Sequence, residues 1–493
     1  MAEQSTVQQA IDEYIATLEV PLRELNKNIH ENPELAYEEH HAHDTLCAFL
    51  ESLNIPVTRH AYGISTAFEA TVGDQGRCVN FNAKYDALPE IGHACGHNLI
   101  ATASVTGFLA LAYAIKKFGL PGQAQLLCTP AEEDGGGKID LITAGAYKKV
   151  DLSLMIHPMS EDELLDRKAT GIAGRSSISL YDIICTYEGV SAHAGVNPWE
   201  GVNALDAIVM AYNGISMLRQ QIRPDERIHG AIVQAPSITN AHTNFDPLLA
   251  SESIEFLRTK LTQQKVGDSN SQEWQSGKDQ HHAAAAVSGQ NRAVGDCNPK
   301  YETNDKCKGN DEDARADIPT GGNTHCLTNH TELTKTKYTV RSPTIKGTKV
   351  LGERVRRCLE AGALATGCKV KLEESTIYAD LVVNSSLCEE FAQKMADQGD
   401  RILQMDNVPM AGFTDQGNVS HLVPALHGLV GIPVSDGAKN HTHEFTAAAG
   451  TDTAHTRIVR AGIAMAMTGW RYLIDDDFCG RVTRDFNRRT ALN

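Results

Sequence analysis

The chain has 493 residues, 41% of them hydrophobic and 22% charged, with a formal net charge of −17 at pH 7. These are globular proportions, and the length exceeds one ordinary core, so two or three domains are expected. The acidic balance argues against a nucleic-acid surface and an anionic membrane, and no apolar run reaches the roughly 18 residues of a membrane span.

Residues 1–10 are polar and lack the apolar stretch of a secretory signal. The 12 cysteines are spread along the chain without a short-loop framework, and Cys128 and Cys185 lie in apolar, strand-like runs. Reduced thiols and a cytoplasmic location are therefore expected. Ile11, Tyr14, Ile15, Leu18, Leu22 and Leu25 recur at helical spacing and predict an opening helix. Strands are predicted at 67–72, 78–83, 123–129 and 152–156, with helices at 99–118 and 138–147. Such alternation indicates an α/β sheet with helices on its faces. Asp86, Glu132, Glu133 and His157 then fall just after strand C-terminal ends, where open α/β sheets place their sites.

A second unit begins near Ile178. Strands are predicted at 179–188, 229–234, 335–341 and 369–374, with helices at 201–221 and 347–365. The order βαβ…βαβ is that of a ferredoxin-like sandwich. The first unit then resumes with a helix at 388–404, a strand at 429–434 and a mostly helical stretch at 444–472. This gives a catalytic domain at 1–177 and 377–493, interrupted by a smaller domain at 178–376. Residues from about 241 to 330 fit neither half of the smaller domain. Residues 266–295 are rich in Ser, Gln, Asn and Gly, and 300–317 are dense in charge. Such a stretch buries too little apolar surface to offset its ordering entropy. It reads as a disordered insertion or, the favoured alternative, as non-coding sequence translated through a mistaken gene model.

The chemistry concentrates in His93-Ala94-Cys95-Gly96-His97, just after Tyr85-Asp86-Ala87-Leu88-Pro89. Cys and His at such spacing suit zinc or a similar divalent ion. Gly92 and Gly96 permit the tight turns that make alternate side chains converge. His93 is the weaker ligand candidate. Glu132 and Glu133 follow a predicted strand and precede Gly135-Gly136-Gly137. One carboxylate can ligate while its neighbour takes a proton from water. His157, before Pro158, adds a further ligand candidate.

Taken together, these motifs resemble the M20 metallopeptidase and amidohydrolase family, and within it subfamily D. Thr129-Pro130-Ala131-Glu132-Glu133, Ile156-His157-Pro158, Ser191-Ala192-His193-Ala194-Gly195, 198–204 and Thr414-Asp415-Gln416-Gly417-Asn418-Val419-Ser420 match as well. Asn98 after Cys-Gly-His is closer to the dipeptidase branch than to auxin-conjugate hydrolases. The resemblance implies a zinc-peptidase-like α/β catalytic domain, its mixed sheet flanked by helices, with an inserted ferredoxin-like α+β lid that also dimerises the chain. It implies Cys95, His97, Glu133, His157 and His441 as ligands to two divalent ions, Zn²⁺ before Mn²⁺. His441 is preferred to His443 by the match of Asn440-His441-Thr442-His443-Glu444-Phe445 to the family's late histidine stretch. Glu132 takes the general-base position, and His193 the oxyanion-stabilising position. Arg341 resembles the arginine that holds a substrate carboxylate. His229 and Asn240 are further lid candidates, although 235–240 match the family's Asn-x-x-Pro loop poorly. The implied reaction is amide hydrolysis of small dipeptides with a basic C-terminal residue, with N-acyl amino acids as the alternative. A catalytically impaired binding or scaffold protein on the same fold is the rival of another class.

Overall fold

The structure, a computed structural model, describes residues 4–192, 196–235, 333–406, 408–410 and 412–490. His193, Asn240 and the stretch from about 241 to 330 lie outside the described residues. In chain order the elements are α1 (Gln4–Thr17), α2 (Glu19–Glu31), α3 (His40–Ser52), β1 (Val57–Arg59), β2 (Phe68–Val72), β3 (Cys78–Ala83), α4 (His97–Phe118), β4 (Gln123–Cys128), α5 (Gly137–Ala144), β5 (Leu152–Ser160) and β6 (Gly171–Ile172). Next come β7 (Ser179–Glu188), α6 (Ala204–Met217), β8 (Arg227–Gln234), β9 (Leu333–Ser342), α7 (Ile345–Thr366) and β10 (Lys369–Glu374). The chain closes with α8 (Ser385–Ala396), β11 (Ile402–Leu403), α9 (Gln416–Ser420), β12 (Ala425–Ile432), α10 (His443–Ala449), α11 (Asp452–Ile474) and α12 (Asp476–Thr490).

Two sheets form. The larger has the order β1-β2-β4-β3-β5-β12-β6-β11. Its centre is parallel, β4 with β3, β3 with β5 and β5 with β12, while β2 pairs β4 and β6 pairs β12 antiparallel. The smaller sheet has the order β10-β7-β9-β8, antiparallel throughout, with α6 and α7 packed on it. That is the ferredoxin-like arrangement expected from the βαβ…βαβ order.

The core of the larger unit is built on α4. Against the expectation that no run is long and apolar enough for a membrane span, this helix is so by length and composition, but it is almost wholly buried inside the protein. An all-round apolar helix needs cover on every side. α11 supplies one side, and small residues set how closely the two approach. A Cβ on Gly462 would lie 2.7 Å from the Ala103 carbonyl oxygen, and one on Gly107 3.1 Å from the Gly462 carbonyl oxygen.

Some sequence expectations are corrected. The opening helix is two helices, because Pro21 lacks an N–H and its ring crowds the carbonyl one turn back. The helix expected at 388–404 ends at Ala396; Gly399, with φ +86°, turns the chain into β11. The strand expected at 429–434 runs from Ala425 to Ile432 and stops before Pro433. His157 lies inside β5 rather than after it, since the strand continues to Ser160. Beyond Leu154, β5 has lost its β3 pairing and keeps β12, a setting that tolerates Pro158. The helices α3 and α12 and the short β1 were not anticipated.

Candidate active site

Two strand ends, the interior of β5 and two loops deliver the chemistry. The segment after β3 carries Lys84 and Asp86, and the loop before α4 carries Cys95. His97 is the first residue of α4. Gly96, at φ +74°, makes the turn; a Cβ there would lie 2.5 Å from the Pro158 ring. Glu132 and Glu133 follow β4, and His157 stands in β5. His441, at φ +70°, precedes α10, and its N–H donates to the Ala94 carbonyl (2.8 Å). That bond ties the late loop to the Cys95 loop.

These side chains converge. Ligand atoms of Cys95, His97 and His157 lie within 4.8 Å of one another, as do those of Cys95, Glu133 and His441 and those of His97, Glu132 and Glu133. Cys95 Sγ is 3.4 Å from His157 Nε2. Glu133 Oε1 is 3.4 Å from His97 Nε2 and 3.5 Å from His441 Nε2. The imidazoles are oriented from behind. His97 Nδ1–H donates to Asp86 Oδ1 (2.8 Å) and His157 Nδ1–H to the Pro158 carbonyl (2.8 Å). Both leave Nε2 facing the cluster, as outer partners of metal-bound histidines do. Asp86 also accepts the Glu133 N–H through Oδ2 (2.8 Å). His97 Nε2 and Glu133 Oε1 are buried without a hydrogen-bond partner. Buried orphan acceptors are costly unless something outside the chain satisfies them, and a cation would do so here. The donor set of one thiol, three imidazoles and carboxylate fits a divalent ion of the zinc type.

The electrostatics agree. Burial, with Glu133 beside it, pushes the Cys95 thiol well above its ordinary value, so the thiolate needs a cation. Burial, with Lys84 nearby, holds His157 neutral, the form that ligates. Burial works to raise the Glu132 carboxyl, but Lys84, His97 and Lys138 outweigh it and hold it well below the usual carboxylate range. Lys84, wholly buried, stands 2.7 Å from Glu132 Oε1.

Of the other predicted residues, His93 belongs to the core; its Nε2–H donates to the Ile29 carbonyl (3.0 Å) and burial lowers its pKa to about 3. His443 is exposed at the start of α10. Arg341 and His229 stand in β9 and β8 of the smaller sheet, and neither lines the cavity around the cluster. Sequence reasoning missed Lys84, the buried pair Lys138–Asp415 (2.7 Å), His427 and Arg175. A lysine directly after the strand Cys78–Ala83 was the one signal available. The Thr414–Ser420 motif proves to be a brace. Asp415 accepts from both the N–H and Nζ of Lys138, Gln416 Oε1 accepts from Asn82, and Asn418 bonds to the backbone of Ile377 and Ala379.

The cavity has a volume of about 480 Å³, the size of small-molecule sites. Beside the cluster it is walled by Met159, Met410, Phe413 and Leu429.

The family model "Peptidase family M20/M25/M40" matches residues 80–460, most of the chain. The chain belongs to peptidase family M20/M25/M40. Among family relatives, the Xaa-Arg dipeptidase of Mus musculus is 32% identical over 94% of this chain and 88% of its own length, and that of Homo sapiens 30% over the same shares. One component of the p-aminobenzoyl-glutamate hydrolase of Escherichia coli is 28% identical over 46% of this chain and 50% of its own length. The fold resembles a putative aminohydrolase from methicillin-resistant Staphylococcus aureus (TM-score 0.62, 15% identity, 96% of this chain and 100% of that chain). It also resembles a dinuclear metal-binding M20 peptidase from Bacillus subtilis (TM-score 0.50, 13% identity, 90% of this chain and 98% of that chain). This M20 member is a metal-dependent hydrolase of the dipeptidase and amidohydrolase type.

Proposed function

We propose that Cys95, His97, Glu133, His157 and His441 hold two divalent ions, zinc in preference to manganese, and that the site hydrolyses dipeptides with a basic C-terminal residue. The observation that carries this reading is the convergence of those ligand atoms within 4.8 Å in overlapping groups, with orphaned His97 Nε2 and Glu133 Oε1 at their centre. The choice of dipeptide is supported by the mouse and human relatives, and N-acyl amino acids as a second reading by the p-aminobenzoyl-glutamate hydrolase relative.

The ions, when bound, supply Lewis acidity toward the amide carbonyl and acidify water. The chain supplies the proton traffic. Glu132, ionised beside Lys84, takes the proton from the attacking water and returns it to the leaving amine. Water adds to the carbonyl carbon, the C–N bond breaks, and the products are a carboxylate and an amine. His193, from the lid, supports the oxyanion in this scheme, and Arg341 is a carboxylate holder. The division into a catalytic unit (1–177 and 377–493) and a lid (178–376), lid-mediated homodimerisation and a cytoplasmic location belong to the same proposal.

A panel of Xaa-Arg, Xaa-Lys and neutral dipeptides and N-acyl amino acids, assayed with Zn²⁺ or Mn²⁺, tests it. Turnover highest on the basic dipeptides is expected. A metal-loaded protein that turns over none of the panel would place the chain with the impaired binding or scaffold proteins.

A further inference from the structure

His427 lines the same cavity as Cys95, Glu132 and His157, yet neither the proposed ligand set nor the hydrolytic scheme uses it. It stands in β12, two residues before Leu429, and period-two alternation puts both side chains on one face. Leu429 pairs with His157 of β5, and both line the cavity, so the shared face is the one turned to the cluster. The centroids of the His427 and His157 rings are 5.7 Å apart, with the planes tilted by 45°.

The imidazole is only 4% exposed, and its Nε2 is buried without a hydrogen-bond partner among the described residues. The ring does bond to its own main chain, and with Nε2 unpaired that bond falls to Nδ1. An Nδ1–H donating to a carbonyl fixes the tautomer that keeps a lone pair on Nε2. Burial, with Lys84 nearby, opposes a second ring proton. Among the described residues His427 joins none of the groups of converging ligand atoms, although its neighbour His157 does. A buried acceptor at a cavity wall is costly until a donor enters. The wall beside it, Met159, Met410, Phe413 and Leu429, is apolar. Sites of this kind fix a ligand's orientation through a few such polar points.

We infer that His427 Nε2 accepts the N–H of the scissile amide and so orients the leaving nitrogen. Two arguments choose this donor. An ammonium group is best matched by a carboxylate, whereas a neutral imidazole near Lys84 suits a neutral N–H. The amide nitrogen is also bonded directly to the reacting carbon, ~1.3 Å away, so it lies beside the cluster that contains His157. The hydrogen held by His427 stays on nitrogen; Glu132 adds the second as the C–N bond breaks, and the product is the free amine. Orientation of this kind acts on the rate of the step as well as on binding. The inference rests on the hydrolase reading of the site.

The test uses Ala-Arg and its ester analogue, in which oxygen replaces the peptide N–H, on wild type, His427→Phe and His427→Gln, with metal content measured on each. His427→Phe should lower kcat/KM for Ala-Arg by about 10- to 100-fold and leave the ester little changed, at unaltered metal content. His427→Gln, whose side-chain oxygen can stand in for Nε2, should restore part of the loss. A loosened or misfolded site would lose both substrates alike, so an equal loss on peptide and ester overturns the inference. It is equally overturned if His427→Phe loses its metal, which would make the imidazole a support for His157. Calorimetric binding of peptide and ester to Glu132→Gln and to Glu132→Gln/His427→Phe separates the two claims. If the wild type cleaves neither compound, yet removing His427 abolishes the preference for the peptide in binding, the N–H contact stands and the hydrolase reading falls.

Discussion

Glu132 must be ionised to accept a proton and free enough to give it up again. Lys84 at 2.7 Å secures the first condition. Removing only the base should separate catalysis from metal binding, because Glu132 is not among the proposed ligands. Glu132→Gln is expected to keep its metal and to lose ~10²-fold or more of turnover. Metal content by plasma emission and kcat on the best dipeptide are the paired measurements; retained turnover with metal in place would refute the base assignment. His441 gives a second residue-scale prediction. His441→Ala should lower metal occupancy, and His443→Ala should leave it unchanged, since of these two only His441 approaches Glu133. The reverse pattern would reassign the late ligand. The site was legible in the sequence where the chemistry itself demands residue types: a thiol, imidazoles and adjacent carboxylates at loop positions. Lys84, Asp415 and Arg175 were not legible in the same way. A buried lysine or arginine has meaning only through the group it meets, and Lys138 and Asp415 meet from positions far apart in the chain.

At the scale of elements, the turn carrying Glu132 is fastened to the start of α3. Glu39, the residue before that helix, accepts the Ala131 N–H through Oε1 (2.8 Å), and Ala131 sits at φ +56°. Burial, with Asp86 adding to it, raises the Glu39 carboxyl to about 7. A carboxyl raised in the folded state costs nothing below its unfolded value, near 4.5, where both states hold the proton. The stability is lost as pH rises through about 7, because the folded state must then carry a buried charge. Glu39→Gln keeps the acceptor oxygen and removes that charge. It is expected to stabilise the protein at pH 8 by on the order of 1–3 kcal/mol and to be neutral near pH 4.5. Thermal melts at the two pH values check this, and equal effects at both would refute it. Neither α3 nor this fastening was read from the sequence. Its first turn carries three histidines, which mask the buried stripe of Ala42, Leu46, Cys47 and Leu50, whereas α4, β7 and β10 announced themselves by composition or alternation. Local pattern reports the elements that are apolar on their own account. It does not report those that tertiary packing recruits.

For the whole molecule, the question is what covers β8. In the order β10-β7-β9-β8 it is, among the described residues, an edge strand hydrogen-bonded to β9 alone. Its side chains are largely exposed, including Ile232 at 49% and Val233 at 53%. On α6, Val209, Met210 and Met217 are exposed as well. An apolar, unpaired edge is an aggregation hazard that proteins normally blunt with charge or cover with a partner. A second copy joined along β8 would pair the edge and bury these side chains in one isologous contact. The chain is therefore expected to behave in solution as a dimer, with a light-scattering mass twice the 53.5 kDa of one chain. Ile232→Glu combined with Val233→Lys should shift it to monomer while leaving metal content unchanged, because the proposed ligands all come from the larger unit. If His193 acts across the interface, that monomer should also lose turnover despite full metal occupancy. A wild type that scatters as monomer at micromolar concentration would rule out the β8 contact, and an active monomeric variant would confine His193 to its own protomer.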